Sequence, residues 1–300
     1  MKILDVDVQV GDEQKVGGLS VFPVLGSPGG GPAYITGPEA FAAGVVHVAE
    51  LVPPQVPFLE VTNAADLPLL LLEGEMLVGG DQNRTMNVSV LIPAGATTTV
   101  PVSCVEQGRW GAQGRRAVAA KRSIAPGTLR AKKVASLMRR DDEPTSRMAD
   151  QHLVWDEVHR YEYTRGSRSV TAALDDLQEQ VEAEVATDLE RLQAAPGQVG
   201  VICTVGDQVV GFDLFDKPAT LERYLRPIVS GHALDVFDVP EGSDPIAAIE
   251  RFLADIAAAE QSTAGGVALG DEVVLGGTVT GIGLALEGTV VHLAAFPAGV

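Results

Sequence analysis

The sequence predicts an α+β fold: a mostly antiparallel sheet of sandwich or barrel type, a central helical segment, and C-terminal strands that return to the sheet. Three features predict it. Residues 1–110 contain short Val-, Leu- and Thr-rich runs separated by Gly, Pro and Asn-Ala turns, as in antiparallel sheets. Residues 128–193 have the apolar spacing of helices. Residues 197–300 mix both patterns and end in strands, so we expect a single domain over residues 1–300.

Six strands and one short helix are predicted in the first part. The strands are Gly17–Leu25, Val45–Val52, Val56–Thr62, Leu69–Leu77, Met86–Ile92 and Thr98–Glu106. The helix, Gly37–Ala43, follows Thr36 and carries Pro38 in its first turn, where the missing N–H of proline does no harm.

Helices dominate the middle of the chain. The predicted helices are Leu129–Arg140, Ser146–Tyr163 and Thr171–Gln193. In the last of them apolar residues recur every three or four positions, which is typical of a helix packed on a core. Pro196-Gly197 ends it.

The last part begins with a hairpin, Val199–Val205 and Gln208–Leu214, which turns at Gly206-Asp207. A helix at Ala219–Asp235 follows, and we expect it to break or kink near Pro227. A second helix begins at Asp244-Pro245, a capping residue followed by proline, and runs to Glu260. The segment Glu272–Phe296 is predicted to return to strands.

The charge distribution is uneven. Twenty-two Lys and Arg against 40 Asp and Glu give a formal net charge of −18, which argues against general nucleic-acid binding. Between Gln107 and Arg140, however, there are ten basic residues and no acidic one. This segment is either a solvated basic helix and loop that docks onto the acidic remainder, or an anion-binding patch for a phosphate-bearing ligand or a nucleic-acid strand. The lack of interleaved aromatic residues makes nucleic acid the weaker partner.

The sequence predicts a soluble, cytoplasmic protein with no membrane partner. Asp5 and Asp7 interrupt any N-terminal apolar run, so no signal peptide is indicated. The longest apolar stretch, Leu67–Leu72, is far shorter than the roughly 20 residues of a membrane span. Two cysteines, Cys104 and Cys203, are too few for a disulfide framework.

The segment Glu73–Trp110 carries most of the candidate functional residues. In one continuous strand Glu73 and Glu75 would share a face, where each raises the pKa of the other, so they are the candidate catalytic acid–base pair. The candidate ligand-binding residues are glycines, amides and charged groups that can fix a polar ligand by directed hydrogen bonds. They are Gly79, Gly80, Gln82, Asn83, Arg84, Asn87, Glu106, Arg109 and Trp110.

Structural roles compete with these functional ones. If their roles are structural, Arg84 neutralises Glu73 or Glu75, and the amide side chains stabilise the Gly-Gly turn. Cys104 is more typical of a small core residue than of a nucleophile, and Asp213 of a turn cap. No P-loop, HExxH, GxSxG or CxxC motif occurs, and the five histidines are scattered, so no metal site and no cofactor is specified.

Three blocks of sequence resemble the ARG and rhodanese-phosphatase-superfamily-associated protein domain family. The first is the EGE…GG.QNR…N.S pattern followed by PVSCVE.GRW; the others surround Gln151 and Asp213. The resemblance covers residues from about 15 to the C-terminus and implies association with ADP-ribosylglycohydrolase and phosphatase-type proteins. In the second block His152-Leu153 departs from the smaller or more acidic residues expected there. The family-type positions are the site residues named above together with Cys104.

Two classes of function follow. In the first, the protein binds a small anionic ligand, phosphate-bearing and similar to ADP-ribose or another nucleotide, and hydrolyses it if it is an enzyme. In the second, it is a non-enzymatic interaction protein that forms homo-oligomers, and the polar cluster is a structural network or subunit seam.

Overall fold

A computed structural model describes residues 1–4, 6–27, 30–109, 118–138, 147–167, 169–237 and 244–299, with backbone only for residues 119–122. The strands are β1 Lys2–Ile3, β2 Val6–Val10, β3 Gln14–Val16, β4 Leu19–Gly26, β5 Ile35–Thr36, β6 Val46–Glu50, β7 Phe58–Asn63, β8 Leu69–Leu71, β9 Glu75–Val78, β10 Arg84–Met86, β11 Val90–Ile92, β12 Thr97–Cys104, β13 Ala119–Ile124, β14 Gln198–Val205, β15 Gln208–Phe215, β16 Glu260–Gly265, β17 Asp271–Gly276, β18 Val279–Leu286 and β19 Thr289–Pro297. The helices are α1 Gly37–Ala43, α2 Gly127–Met138, α3 Gln151–Arg165, α4 Leu174–Glu184, α5 Ala186–Arg191, α6 Pro218–Ala233 and α7 Pro245–Ala258.

Most strands belong to two antiparallel sheets. A ten-stranded sheet has the order β1-β2-β4-β14-β15-β19-β18-β17-β16, with β3 also paired to β4. A six-stranded sheet has the order β13-β9-β10-β12-β7-β6. A third, three-stranded sheet has the order β11-β8-β5, in which β5 and β8 are parallel. The C-terminal strands return to the sheet as predicted, since β19 pairs with β15 and β14 pairs with β4. The α+β prediction is therefore confirmed, whereas the single-domain organisation stays a prediction.

Two of the predicted strands are wrong because a turn interrupts each of them. Leu69–Leu77 divides into β8 and β9 around Gly74, whose φ of 82° belongs to the left-handed region. A Cβ atom at Gly74 would also lie 2.8 Å from Nε of Arg130. Met86–Ile92 divides likewise, into β10 and β11, and Asn87 lies between them.

The helix boundaries follow the capping groups. Asp150 accepts hydrogen bonds from the first amides of α3, so this helix begins at Gln151 and residues 147–150 precede it. Ser146, where the helix was predicted to begin, lies outside the described residues. The predicted helix Thr171–Gln193 is wrong as one element, because α4 ends and α5 begins at Val185. Helix α6 continues through Pro227 without ending. In the helix predicted at Leu129–Arg140, the last two residues lie outside the described part of the chain.

Two helix starts are confirmed with their expected caps. Helix α1 has the capping box of Thr36 and Glu39 with proline in the first turn. Helix α7 begins at Pro245, and the Asp244 side chain accepts from two of its amides. The sequence patterns did not predict the short strands β1, β2, β3, β5, β13 and β16.

Helix α6 packs closely against the ten-stranded sheet and α2 at two glycines. A Cβ atom at Gly211 of β15 would lie 2.3 Å from the His232 ring, and one at Gly127 would lie 2.5 Å from it. The His232 side chain is 1% exposed. At Gly211 a side chain would therefore require movement of His232 and α6, and at Gly127 it would also meet the Val210 carbonyl of β15 at 2.1 Å. Among the described residues no helix is both long and apolar enough to cross a membrane.

We expect Gly211→Ala to lower the free energy of unfolding by about 1–3 kcal/mol, because the added methyl group overlaps His232 in a packed interior. Gly265→Ala is the matched control, since Gly265 also lies in a strand and a Cβ atom there would have nothing within 4 Å. Its effect should stay within about 0.5 kcal/mol. Urea titrations of both variants test this, and equal stabilities would contradict the packing argument.

Candidate functional site

The described candidate residues fall into two clusters and two isolated positions. The central cluster consists of Glu73, Ser89, Arg130, Lys133, Asp213 and His292. The rim cluster consists of Glu50, Gly79, Gly80, Gln82, Asn83, Arg84, Glu106 and Arg109. Glu75 and Asn87 lie apart from both, and Trp110 lies outside the described residues. The chain thus brings most of the predicted residues together, but not around one point.

Three parts of the fold meet in the central cluster. Glu73 lies in the turn between β8 and β9, and Asp213 and His292 lie on the neighbouring strands β15 and β19. Arg130 and Lys133 are three positions apart on α2, so they project from one face of that helix.

Arg130 holds the central cluster together. Its Nε donates to Glu73 at 2.7 Å, while its two terminal nitrogens donate to both carboxylate oxygens of Asp213, at 3.0 and 2.7 Å. The guanidinium also lies 5.2 Å from the Phe296 ring centroid. Lys133 completes the neutralisation, with Nζ 3.1 Å from the second oxygen of Glu73. Two carboxylates therefore face two cations in the interior. Buried charges require this kind of pairing.

Ser89, His292 and Asp213 form a hydrogen-bonded chain. Nε2 of His292 lies 3.0 Å from Asp213, and its Nδ1 lies 2.8 Å from Oγ of Ser89. The Asp213 carboxylate only accepts, so Nε2 carries the proton and Nδ1 accepts from the Ser89 hydroxyl. Ser89 Oγ in turn accepts from the backbone N–H of Glu73 at 2.9 Å. Every polar atom of this chain is thereby satisfied.

The order Ser–His–Asp is the one that activates serine nucleophiles. Here Ser89 is 8% exposed, and His292 and Asp213 are fully enclosed. Arg130 also neutralises the carboxylate that would stabilise a histidinium ion. The arrangement therefore has the features of a structural network that ties β19 to β15 and to the turn at Glu73.

The charges of the central cluster shift its pKa values. Burial alone would raise the pKa of Asp213, but Arg130 and His292 outweigh it and hold that pKa well below the usual range. Burial lowers the pKa of Lys133, against the attraction of Glu73. Because the opposite charges are in contact, removing one partner leaves another charge buried without compensation.

Glu75 has surroundings of its own. Its Oε2 accepts from the backbone N–H of Leu72 at 2.9 Å and lies 3.3 Å from the Tyr224 hydroxyl. The backbone of Gly37 closes the other side, where a Cβ atom would lie 2.4 Å from Oε1. Burial raises the pKa of Glu75 to about 7, although both hydrogen bonds lower it. The expected pairing with Glu73 is wrong, because the turn at Gly74 separates the two and they share no partner.

In the rim cluster, Arg109 and Glu106 form the most connected pair. Both oxygens of Glu106 accept from Arg109, at 2.8 and 2.6 Å, and one also accepts from the Thr171 hydroxyl at 2.8 Å. Arg109 further donates to the Gly80 carbonyl and to Asn83, at 2.9 and 3.0 Å. Although burial raises the pKa of Glu106, Arg109 and the other donors lower it below the ordinary value. Arg109 is therefore fully engaged in holding the Gly79–Asn83 turn.

Arg84 is the exception in the rim cluster. Its Nε donates to the Val56 carbonyl at 3.2 Å, but neither terminal nitrogen has a hydrogen-bond acceptor, although the side chain is 1% exposed. The nearest carboxylate oxygen, Oε1 of Glu50, is 3.9 Å from Nη2 and already accepts from the Asp81 amide. Oε2 of Glu50 is buried and, among the described residues, has no donor. Within that part of the chain, the two terminal nitrogens of Arg84 and this oxygen thus lack hydrogen-bond partners, although the two side chains lie within ion-pair distance of each other.

The backbone at Gly80 makes this arrangement possible. Its φ is 57°, in the left-handed region, and a Cβ atom there would lie 2.7 Å from Oε1 of Glu50. A side chain at this position would therefore displace Glu50 from the turn. Gln82 supports the same turn by donating to the Glu106 carbonyl at 2.9 Å.

The remaining predicted positions have structural partners. Asn87 donates to the Arg147 carbonyl at 3.0 Å and accepts from Ser103 at 2.7 Å, away from the rim cluster. Burial raises the pKa of the Cys104 thiol, which favours the unreactive form. Beside Glu106, a cavity of about 710 Å³ is lined by Gln107, Gly108, Thr171 and residues of α3. Among the described residues no group of His, Cys, Asp and Glu is arranged to hold a metal ion.

Arg130, Lys133, His292 and Glu50 were missed as site residues. Arg130 and Lys133 belong to the basic segment, and their burial shows that its interpretation as a solvated helix is wrong for these two. The signal available in the sequence was the absence of acidic residues near them, which left their charges without local partners. Nothing in the local sequence marks His292 or Glu50. Arg115, Arg116, Arg139 and Arg140 lie outside the described residues.

The fold and the clusters define an α+β protein with buried ion pairs in its interior and a polar rim in which the terminal nitrogens of Arg84 have no hydrogen bond to the described residues. The family model of the ARG and Rhodanese-Phosphatase-superfamily-associated Protein domain matches residues 7–296, and the chain belongs to that family. Comparisons with curated proteins and with solved structures find no match.

We expect Arg130→Met to lower the free energy of unfolding by about 3–5 kcal/mol, because Glu73 and Asp213 lose the cation they share inside the protein. Arg223→Met is the control. It removes an ion pair with Glu39 whose arginine side chain is 56% exposed, and it should change stability by less than about 1 kcal/mol. Denaturant unfolding of the two variants checks the difference, and a similar small effect of both would refute the role of Arg130.

The raised pKa of Glu75 predicts a pH-dependent stability. The folded state binds this proton more tightly than the unfolded state, so the contribution is fully present below pH 4.5 and is lost as the pH rises through about 7. Glu75→Gln removes this dependence. The stability of the variant relative to the unmodified protein should therefore rise between pH 5 and pH 8, by an amount on the order of 2–3 kcal/mol. Unfolding titrations at both pH values measure it, and a pH-independent difference would show that Glu75 is ionised in the fold.

Proposed function

We propose that the protein binds a small anionic ligand with at least one hydroxyl group, such as a phosphorylated sugar or a nucleotide derivative, at Arg84 and Glu50. The observation that carries the proposal is the pair of buried terminal nitrogens of Arg84 that have no acceptor. A buried donor without a partner is destabilising by about 1–3 kcal/mol, and more when it is charged, so its retention is best explained by an acceptor that comes from outside the chain.

The chemistry of the unpaired groups defines the ligand. A guanidinium presents two parallel N–H donors, which match the geometry of a phosphate or carboxylate group. The unpaired Oε2 of Glu50 requires a donor, which the ionised oxygens of a phosphate ester or carboxylate group cannot supply. A ligand that carries a phosphate beside a hydroxyl satisfies both groups, because its hydroxyl donates to Glu50 while its phosphate accepts from Arg84.

The surroundings of Arg84 suit this role. Arg109, the other arginine of the rim cluster, uses its donors on Glu106, Gly80 and Asn83, so it shapes the turn and leaves anion binding to Arg84. The Glu50 side chain is 16% exposed, so the ligand would reach Arg84 past Glu50.

Hydrolysis of the ligand is the corresponding enzymatic proposal, with Glu73 or Glu75 as general acid or base. Of the two, Glu75 has the pKa suited to proton exchange near neutral pH, about 7. Because Glu75 lies apart from Arg84 and Glu50, this role requires a ligand that extends from them to Glu75. Glu73 is held between Arg130 and Lys133 and is committed to the interior. If turnover of a bound phosphate ester is found, Glu75→Gln should abolish it while the variant still folds and binds.

We expect ribose 5-phosphate and ADP-ribose to raise the melting temperature, and inorganic phosphate or ribose alone to raise it less. At a hundredfold excess over the dissociation constant, the stabilisation is about 2.7 kcal/mol. Arg84→Met should abolish the shift and change the melting temperature of the ligand-free protein little, because the removal of two unsatisfied buried nitrogens offsets the loss of the weak contacts with Val56 and Glu50.

Arg223→Met is the control variant and should respond to the ligands as the unmodified protein does. Thermal-shift assays at fixed ionic strength, confirmed by calorimetry, make the comparison. A shift that persists in Arg84→Met places the ligand elsewhere. A strong loss of stability in ligand-free Arg84→Met would instead assign Arg84 a structural role.

A further inference from the structure

Strand β16 is an open edge of the ten-stranded sheet. Within the described part of the chain it pairs only with β17, and all six of its residues are exposed. In an antiparallel pair, alternate residues direct their N–H and C=O groups away from the partner strand. Arg147 donates to the Gly265 carbonyl at one end of β16. Along the rest of its length, this edge offers backbone groups with which another strand can pair.

The usual protection of an edge strand is missing here. Its sequence, EQSTAG, contains no Lys and no Pro, and its register with β17 runs from Glu260 to Gly265 without a bulge. The opposite edge of the same sheet is protected, since β1 has only two residues and one of them is Lys2. The contrast indicates that β16 is kept open for a partner.

We propose that β16 is the interface of a homodimer, in which two copies of this chain pair antiparallel about a twofold axis and join their sheets into one. A twofold axis requires the strand to be complementary to itself. With the axis at Ser262 or at Thr263, each Glu260 lies opposite an uncharged residue and not opposite the other Glu260. The pairs nearest the axis are then Ser with Ser and Gln with Thr, or Thr with Thr and Ser with Ala, which favour cross-strand hydrogen bonds and close approach.

Apolar surface beside β16 adds to the backbone pairing. A cavity of about 530 Å³ lies against residues 260–264 and is lined on its other side by Leu137, Met138, Val274 and Ile282, among others. Met138 is 38% exposed in the single chain. Side chains of a second β16 can cover this surface. Because six paired residues are few for an interface that usually buries about 1,200–2,000 Å², the dimer is reversible and depends on concentration.

The test is the oligomeric state of the full chain, measured by sedimentation over a range of concentrations. The double variant S262K/T263K places two like charges across the axis in either register, while both positions are exposed within one chain. The matched control, T97K/T99K, adds the same charge at two exposed positions of β12, an inner strand of the other sheet.

We expect the unmodified protein and T97K/T99K to associate into dimers with equal dissociation constants. S262K/T263K should weaken the dimer at least tenfold, with an unchanged melting temperature of the monomer, and high salt should restore part of the association because it screens the added charges. The proposal is overturned if the unmodified chain stays monomeric at every concentration, or if S262K/T263K dimerises as well as the control. If the chain is monomeric, the edge of β16 would be available to a strand of a different protein instead.

Discussion

The guanidinium of Arg130 is the contact on which the interior depends. It bonds at once to the turn that precedes β9 and to the centre of β15, and so fastens α2 between the ten-stranded sheet and the segment that leads into the six-stranded one. Only arginine offers donors in a planar fork that can hold two carboxylates in fixed directions. Gly74 has no side chain because Arg130 occupies that space, and His292 keeps its tautomer because Arg130 keeps Asp213 ionised.

The two clusters differ in whether the donors of their arginines have acceptors. In the central cluster every strong donor has a carboxylate, and the whole is neutral and enclosed. In the rim cluster Arg109 is satisfied in the same manner, but Arg84 is not, and a neighbouring carboxylate oxygen also lacks a partner. The arrangement of Arg84 beside Glu50 is not required for the stability of the fold. Arg84 is the first residue of β10, and Arg109 lies in the loop after β12. The difference between the contacts of these two arginines is what separates a structural network from a candidate binding site.

Features that depend on neighbouring residues, such as helix caps and hairpin turns, were predictable from the sequence. Features that depend on contacts between residues far apart in the chain were not. Thr36 with Pro38 and Glu39, and Asp244 with Pro245, fix the starts of α1 and α7 within a few residues, and Gly206-Asp207 fixes its hairpin. The turn at Gly74 was hidden inside an apolar run because its cause, Arg130, lies 57 positions from Glu73. Likewise, the partners of Asp213 and Ser89 lie 83 and 203 positions away, so their burial and charge pairing could not be read from spacing. The candidate residues of the Gly79–Arg84 turn and of Glu106 and Arg109 do converge, because short strands bring nearby segments together.

The pairing of β4 with β14 also sets an order for chain synthesis. Residues 19–25 pair with the nearby strands β2 and β3 on one side, but they have to wait for residues 198–205 before they gain the strand on their other side. By contrast, β14 with β15 and β17 with β18 and β19 close by short turns. Contacts between residues so far apart form slowly, since a long loop has to close first. On the ribosome β4 therefore emerges long before β14, with one edge still unpaired. Chaperones that shield exposed strand edges during translation should matter more for this protein than for one whose N-terminal strands find all their partners in nearby sequence.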